Sequence, residues 1–323
     1  MISPRSQLLE FIEQGRIPTE KIGAALRAAK VVPDGGAWRS FLDRLLLWIG
    51  SLALAFAVMF FIAYNWHAIG RFAKFVMVEL ILVLSMVAYC KFGEQSAAGK
   101  VTLLFSTICL GVLLALYGQT YQTGADPWQL FFTWALLMLP WAVIGRFAAL
   151  WMVWVLLINI SLVLYHQTFR GIFWFMFGYE TGALWLLFLV NSLFLAAWEF
   201  LTATRRWCPE RWAVRLLAVG GGVPLTWLVL HAIFGSDGFK LLPALALAAW
   251  LAVMFYVYRN KKPDLFMLAG CCLSAITVSV SFTGKHILPS DSAVGFLLLA
   301  LLVIGLGAGA AFWLKGVHQE FQS

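Results

Sequence analysis

FAALWMVWVLLINISLVLY, residues 147–165, decides the fold. It carries no charge, and at ~1.5 Å per residue a helix of this length crosses most of a ~30 Å hydrocarbon layer. It starts directly after Gly145-Arg146, and a second apolar run, 128–144, ends just before that pair. So tight a turn between two spans forces an antiparallel hairpin. Working outward, the same pattern recurs at 45–65, 72–90 and 101–119 on one side. On the other it recurs at 183–201, 214–234, 241–258, 265–283 and 294–314. The reading is an all-α integral membrane protein of about ten transmembrane helices. It divides into an N-terminal helical appendage (1–44), the ten-helix domain (45–314) and a short tail (315–323).

Composition agrees. Hydrophobic residues make up 62% of the chain and charged ones 12%, against about 25% charged in soluble domains. The net charge of +8 comes without a basic, aromatic-interleaved run, so nucleic acid is not an expected partner; the lipid bilayer is. Loop charge sets the orientation. With the N-terminus inside, the inner segments hold Arg5, Arg16, Lys21, Arg27, Lys30, Arg39, Arg44, Lys91, Lys100, Arg146, Arg205, Arg206, Arg211, Arg215, Arg259, Lys261, Lys262 and Lys315. The outer face keeps Arg71, Lys74, Arg170, Lys240 and Lys285. This bias predicts both termini in the cytoplasm. The N-terminus lacks the apolar core of a signal peptide. Cys90, Cys109, Cys271 and Cys272 lie in apolar segments and Cys208 in an inner loop, which gives no disulfide framework.

Several segments depart from plain spans. In the appendage, Leu8, Phe11 and Ile12 share a helical face that Gly15 can end. Ile22, Ala25, Leu26 and Ala29 form a second amphipathic turn pattern, broken by Pro33-Asp34-Gly35-Gly36. The aromatic cluster in 166–181 (Phe169, Phe173, Trp174, Phe175, Phe177, Tyr179) suggests a short interfacial helix. Gly220-Gly221-Gly222 with Pro224 could loosen the seventh span. Gly305, Gly307 and Gly309 suit close helix packing in the last one.

Glu79 stands among apolar residues about 10 Å inside the outer end of the second span. A carboxylate at that depth must be paired, hydrated or protonated. It therefore reads as a proton- or cation-binding group, or as a neutral carboxyl bonded to a neighbouring helix. Asn159 and Asn191 fall at similar depth and need hydrogen-bond partners, Glu79 being one candidate. The connection from Leu116 to Trp128 contains Gln119, Tyr121 and Gln122, amide and phenol groups at the mouth of the bundle. In the same connection Asp126 suits an N-cap and Pro127 the first helical position. His67, His166, His231 and His286, with Asp126, Glu180, Asp237 and Asp291, share the outer face, but no pair has metal-ligand spacing. No metal or other cofactor is expected.

Two motifs and a lead-in carry a resemblance. Phe61-Ile62-Ala63-Tyr64-Asn65-Trp66, Gly118-Gln119-Thr120-Tyr121-Gln122-Thr123-Gly124-Ala125-Asp126, and Phe11-Ile12-Glu13-Gln14-Gly15-Arg16-Ile17-Pro18 resemble the bacterial predicted membrane proteins grouped as domain of unknown function 2157, over roughly the first 165 residues. The resemblance implies the bacterial inner (cytoplasmic) membrane and brings no established activity. It draws attention to Asn65, Gln119, Tyr121, Gln122 and Asp126, all at outer ends of early helices.

The leading expectation is a transporter-like or lipid- and small-molecule-handling protein with an outward-facing polar site. There Glu79 would take a proton or cation, and Asn65, Gln119, Tyr121, Gln122, Asp126 and Asn159 would meet a polar or lipid ligand. Ten spans in this length also resemble the five-plus-five inverted repeat of the drug/metabolite transporter superfamily. The alternatives are a structural or regulatory membrane component with a cytoplasmic protein partner, and an enzyme facing outward.

Overall fold

The computed structural model describes residues 8, 11–12, 14–29, 32–65, 67–169, 178–205, 210–235, 241–287 and 293–321. Among them every regular element is helical, and ten helices are long and apolar enough to cross a membrane. They fall into two compact units, Met1–Tyr121 and Gln122–Ser323. Three of the ten helices belong to the first unit and seven to the second.

In the first unit, Leu8, Phe11 and Ile12 are helical, and Gly15 (φ +68°) ends that turn, with Arg16 N–H donating to Phe11 O at 3.0 Å. This is the left-handed C-terminal stop that glycine enters without steric cost. A 3-10 turn, Thr19–Lys21, leads into α1 (Ile22–Ala28). Ile22, Ala25, Leu26 and Ala29 are half-buried and the residues between them exposed, as the spacing predicts. The first span begins earlier than its hydrophobicity suggests. Asp34 caps α2 (Gly35–Tyr64) by accepting from Ala37 N–H at 2.7 Å, so ten residues assigned to the appendage are continuous with the span. α3 (Arg71–Phe92) and α2 both pack on α4 (Ala97–Tyr121), which supplies most of the buried side chains, among them Leu103, Phe105, Cys109 and Leu116. The Ser85 and Ser106 hydroxyls, 2.6 Å apart, join α3 to α4.

The second unit opens with the expected hairpin, α5 (Pro127–Gly145) and α6 (Ala148–Thr168). Arg146 makes the turn in the left-handed region (φ 47°). Trp154 Nε1 donates to Ala135 O at 3.0 Å and Ser161 Oγ to Trp128 O at 3.1 Å, fixing the two helices side by side. Then follow α7 (Tyr179–Arg205), α8 (Arg211–Phe234), α9 (Leu241–Tyr256), α10 (Leu265–His286) and α11 (Ala293–Glu320). A π-helical turn, Val257–Lys261, extends α9. α8 is the central element, packed against α7, α9 and α10 through Leu217, Leu225, Leu228 and Val229.

Two expectations are corrected. α8 runs unbroken through Gly220–Gly222 and Pro224, because the glycines serve side-chain approach from α7 and α9 and not unwinding. In α11, the positions where Gly305, Gly307 and Gly309 would carry a Cβ face open space, so they do not mediate packing within this unit. The close approach of α10 to α11 runs instead through Gly284, where an added Cβ would lie 3.3 Å from the Leu299 methyl groups. The expected interfacial helix falls largely on 170–177, outside the described residues.

Candidate functional site

The polar residues expected at the outer face divide between the units. In the first, Asn65 is the C-cap of α2. Its Nδ2 donates to Phe61 O at 2.9 Å, and its backbone carbonyl accepts from Ala68 and Ile69 N–H. That use of the amide is local and completes a helix end. Tyr121 stacks near Tyr117 (ring centroids 4.9 Å apart) and Phe75 (5.9 Å) at the end of α4, with Gln119 exposed beside it. Glu79 lies on an exposed face of α3, flanked by exposed Val76, Leu80 and Val83.

In the second unit Gln122 takes φ 44°, and Asp126 occupies the N-cap of α5 in extended conformation. Its carbonyl accepts from Gln129 N–H at 3.0 Å, while its carboxylate makes no capping bond. Among the described residues, no three His, Cys, Asp or Glu side chains converge to hold a metal ion.

Asn159 has a partner, and it is Asn191. Asn191 Nδ2 donates to Asn159 Oδ1 at 2.8 Å, and Asn159 Nδ2 donates back to Asn191 Oδ1 at 3.2 Å. Each amide also donates to its own helix four residues back, to Val155 O (2.9 Å) and Leu187 O (2.8 Å). The two residues stand near the middle of α6 and α7, at the depth where polar groups cost most unless paired. Gly220 of α8 makes room for them, since a Cβ there would lie 2.9 Å from Asn191 Oδ1.

Beside the pair a groove of about 540 Å3 runs between α6, α7 and α8. Its rim is formed by exposed Leu156, Leu216 and Val223. The hydrogen-bond inventory of the pair is specific. Among the described residues both N–H groups of each amide are used, while each oxygen accepts one bond of the two it can take. The pair thus keeps acceptor capacity and has no free donor.

A third feature escaped the sequence reading. Glu199, near the end of α7, accepts from Tyr258 Oη at 2.9 Å and from Arg211 Nη1 at 3.0 Å, and pairs with Lys262 Nζ. Asp264, with its side chain only 1% exposed, takes Arg211 Nη2 at 3.0 Å and Arg215 Nε at 3.2 Å, and caps α10 by accepting from Phe266 N–H. The network ties one end of α7, α8, α9 and α10. The π turn brings Tyr258 and Lys262 onto Glu199 together. Arg259 pairs with Glu320, bringing in the end of α11. The signal was present in the sequence: a lone carboxylate in the last turns of a span, arginines at i and i+4, and Asp264 in a helix-start position. These groups hold no nucleophile–base arrangement, and their geometry is that of an interhelical clasp.

Residues 9–151 match the model of a family described as predicted membrane proteins, domain of unknown function 2157. The match takes in the described helices from α1 through α5 and ends in the first turn of α6, short of Asn159, Asn191 and the clasp. No curated protein and no solved structure matches the chain.

Proposed function

We propose that this multi-pass membrane protein handles a lipid or small amphiphile, which enters the second unit sideways from the bilayer and is held by Asn159 and Asn191. The carrying observation is the amide pair itself, placed at mid-membrane depth on the wall of an otherwise apolar groove with two unused acceptor positions. An anion finds no donor there. A head carrying a hydroxyl or an uncharged N–H does, and its apolar body suits the walls formed by Leu156, Leu216 and Val223. The outward-facing site has less support, because Asn65 is spent on capping and Glu79 lies on an exposed face of α3. The setting that goes with this reading is the bacterial inner membrane, which the family resemblance implies, with both termini in the cytoplasm, which the loop-charge bias implies.

The test uses the purified full chain in detergent with a photoactivatable diacylglycerol. Labelling should fall on 187–191 and 216–224. It should drop at least tenfold in Gly220→Ala and in the double variant Asn159→Leu/Asn191→Leu, but not in Glu79→Gln. Labelling spread evenly over the helices, or unaffected by the double variant, overturns the reading.

One observation favours a structural or regulatory role instead. Trp38, Phe41, Leu42, Leu45 and Leu46, in the continuous helix that joins the appendage to the first span, are all exposed. A partner covering them would be captured by crosslinking at Trp38, whatever the groove binds.

A further inference from the structure

A second groove lies on the other flank of α8, between α8, α9 and α10, with a volume of about 330 Å3. It differs from the first in having a charged end. Its walls are Val219 and Gly222 of α8, Met254 of α9, and Phe266, Gly270 and Leu273 of α10. At one end the Arg215 guanidinium sits over the Phe266 ring, 5.5 Å from its centre. Toward the other, the hydroxyl of Ser274, which lines the groove, meets that of Thr226 at 2.9 Å and bridges α10 to α8. On α10 the lining runs from Phe266 to Ser274, about 12 Å at ~1.5 Å per residue. A leaflet is about half of a ~30 Å hydrocarbon core, so the groove spans most of one.

Among the groups that pair with one another at this end positive charge is in excess, the Glu210 carboxylate at the start of α8 not being one of them. Glu199 and Asp264 supply two negative charges against the three positive charges of Arg211, Arg215 and Lys262. Arg211 spends both terminal nitrogens on carboxylates. Arg215 engages Asp264 only through Nε, and among the described residues its Nη1 and Nη2 make no hydrogen bond. Its side chain is 42% exposed. A planar fork with two free donor nitrogens near the end of an apolar slot matches a phosphate joined to an acyl chain.

We infer that this groove seats one acyl chain of an anionic phospholipid, whose phosphate is held by Arg215. The site is independent of the amide pair, which can bind no anion. A lipid in it would close the arginine end of the clasp and bridge α8 to α10 from outside.

Gly270 gives a clean variant, because a Cβ there meets nothing within 4 Å. Gly270→Leu therefore fills the slot without disturbing the backbone. Arg215→Gln removes the fork while Asp264 keeps Arg211 and Phe266 N–H. Native mass spectrometry on the full chain would be titrated with dioleoylphosphatidylglycerol, dioleoylphosphatidylcholine and inorganic phosphate. The wild type should bind phosphatidylglycerol at least fivefold more tightly than phosphatidylcholine. Both variants should lose tenfold or more, with unfolding temperatures in lipid-free detergent unchanged for Gly270→Leu. Equal binding of the two lipids, phosphate binding as well as the lipid, or wild-type affinity in Gly270→Leu would each overturn the assignment.

Discussion

Gly220 and the two asparagines form a three-helix contact in which each member constrains the others. Adding a methyl group at 220 places it 2.9 Å from Asn191 Oδ1, inside van der Waals contact. The amide must then rotate away from Asn159 or α8 must shift. Gly220→Ala should lower stability by about 1–3 kcal/mol, the usual cost of overpacking, measured by thermal unfolding in detergent. Replacing one asparagine with leucine leaves the other amide with an unpaired group in an apolar wall, whereas replacing both removes the need for a partner. A double-mutant cycle should give a coupling of about 0.6–2 kcal/mol. Zero coupling would mean that the pair is not formed in the detergent-solubilised protein. At this scale the sequence was half legible. Residue spacing placed Asn159 and Asn191 at one depth, because depth follows from counting along each helix. It could not say which amide faces which, because that depends on rotation and adjacency, and Glu79 was an equally eligible partner on depth alone.

The helix ends of the second unit are held by charge, and their contributions should scale with burial. Asp264 is nearly sealed between two arginines and a backbone N–H, while Glu320 is 62% exposed where it meets Arg259. Asp264→Asn should therefore destabilise by about 2–4 kcal/mol, toward the range for breaking a buried pair. Glu320→Gln should cost no more than about 1 kcal/mol, as exposed pairs do. Thermal unfolding of the two variants at low and high salt checks both the order and the expectation that only the Glu320 effect is screened. The elements themselves were readable, since each span is a local property of about twenty residues. The clasp was not, because Glu199 and Asp264 stand sixty-five positions apart and meet only once four helices are packed. Among the described residues Cys90, Cys109, Cys271 and Cys272 are free thiols, and Cys208 lies outside them.

For the whole molecule, ten apolar helices follow from composition, but the direction they face rests on loop charge alone. Single-cysteine variants in a background free of native cysteine test it. Lys285→Cys should react with a membrane-impermeant maleimide added to intact spheroplasts, and Lys315→Cys only after permeabilisation. The reverse pattern would invert every outer and inner assignment while leaving both grooves in place. The family match supports the membrane assignment over 9–151. The features with the most definite chemistry, the amide pair and the clasp, lie beyond it.

The π turn at Val257–Lys261 bears on how related chains are to be compared. A π turn is an α-helix carrying one additional residue, and each residue turns the helix by about 100°. A relative with one residue fewer between Met254 and Pro263 would close into plain α-helix there and swing its counterparts of Tyr258 and Lys262 away from Glu199. In such a chain the tyrosine and lysine could be present by letter and absent from the clasp. A one-position gap at this point is therefore a difference in how the helix ends are held, even where every named side chain aligns.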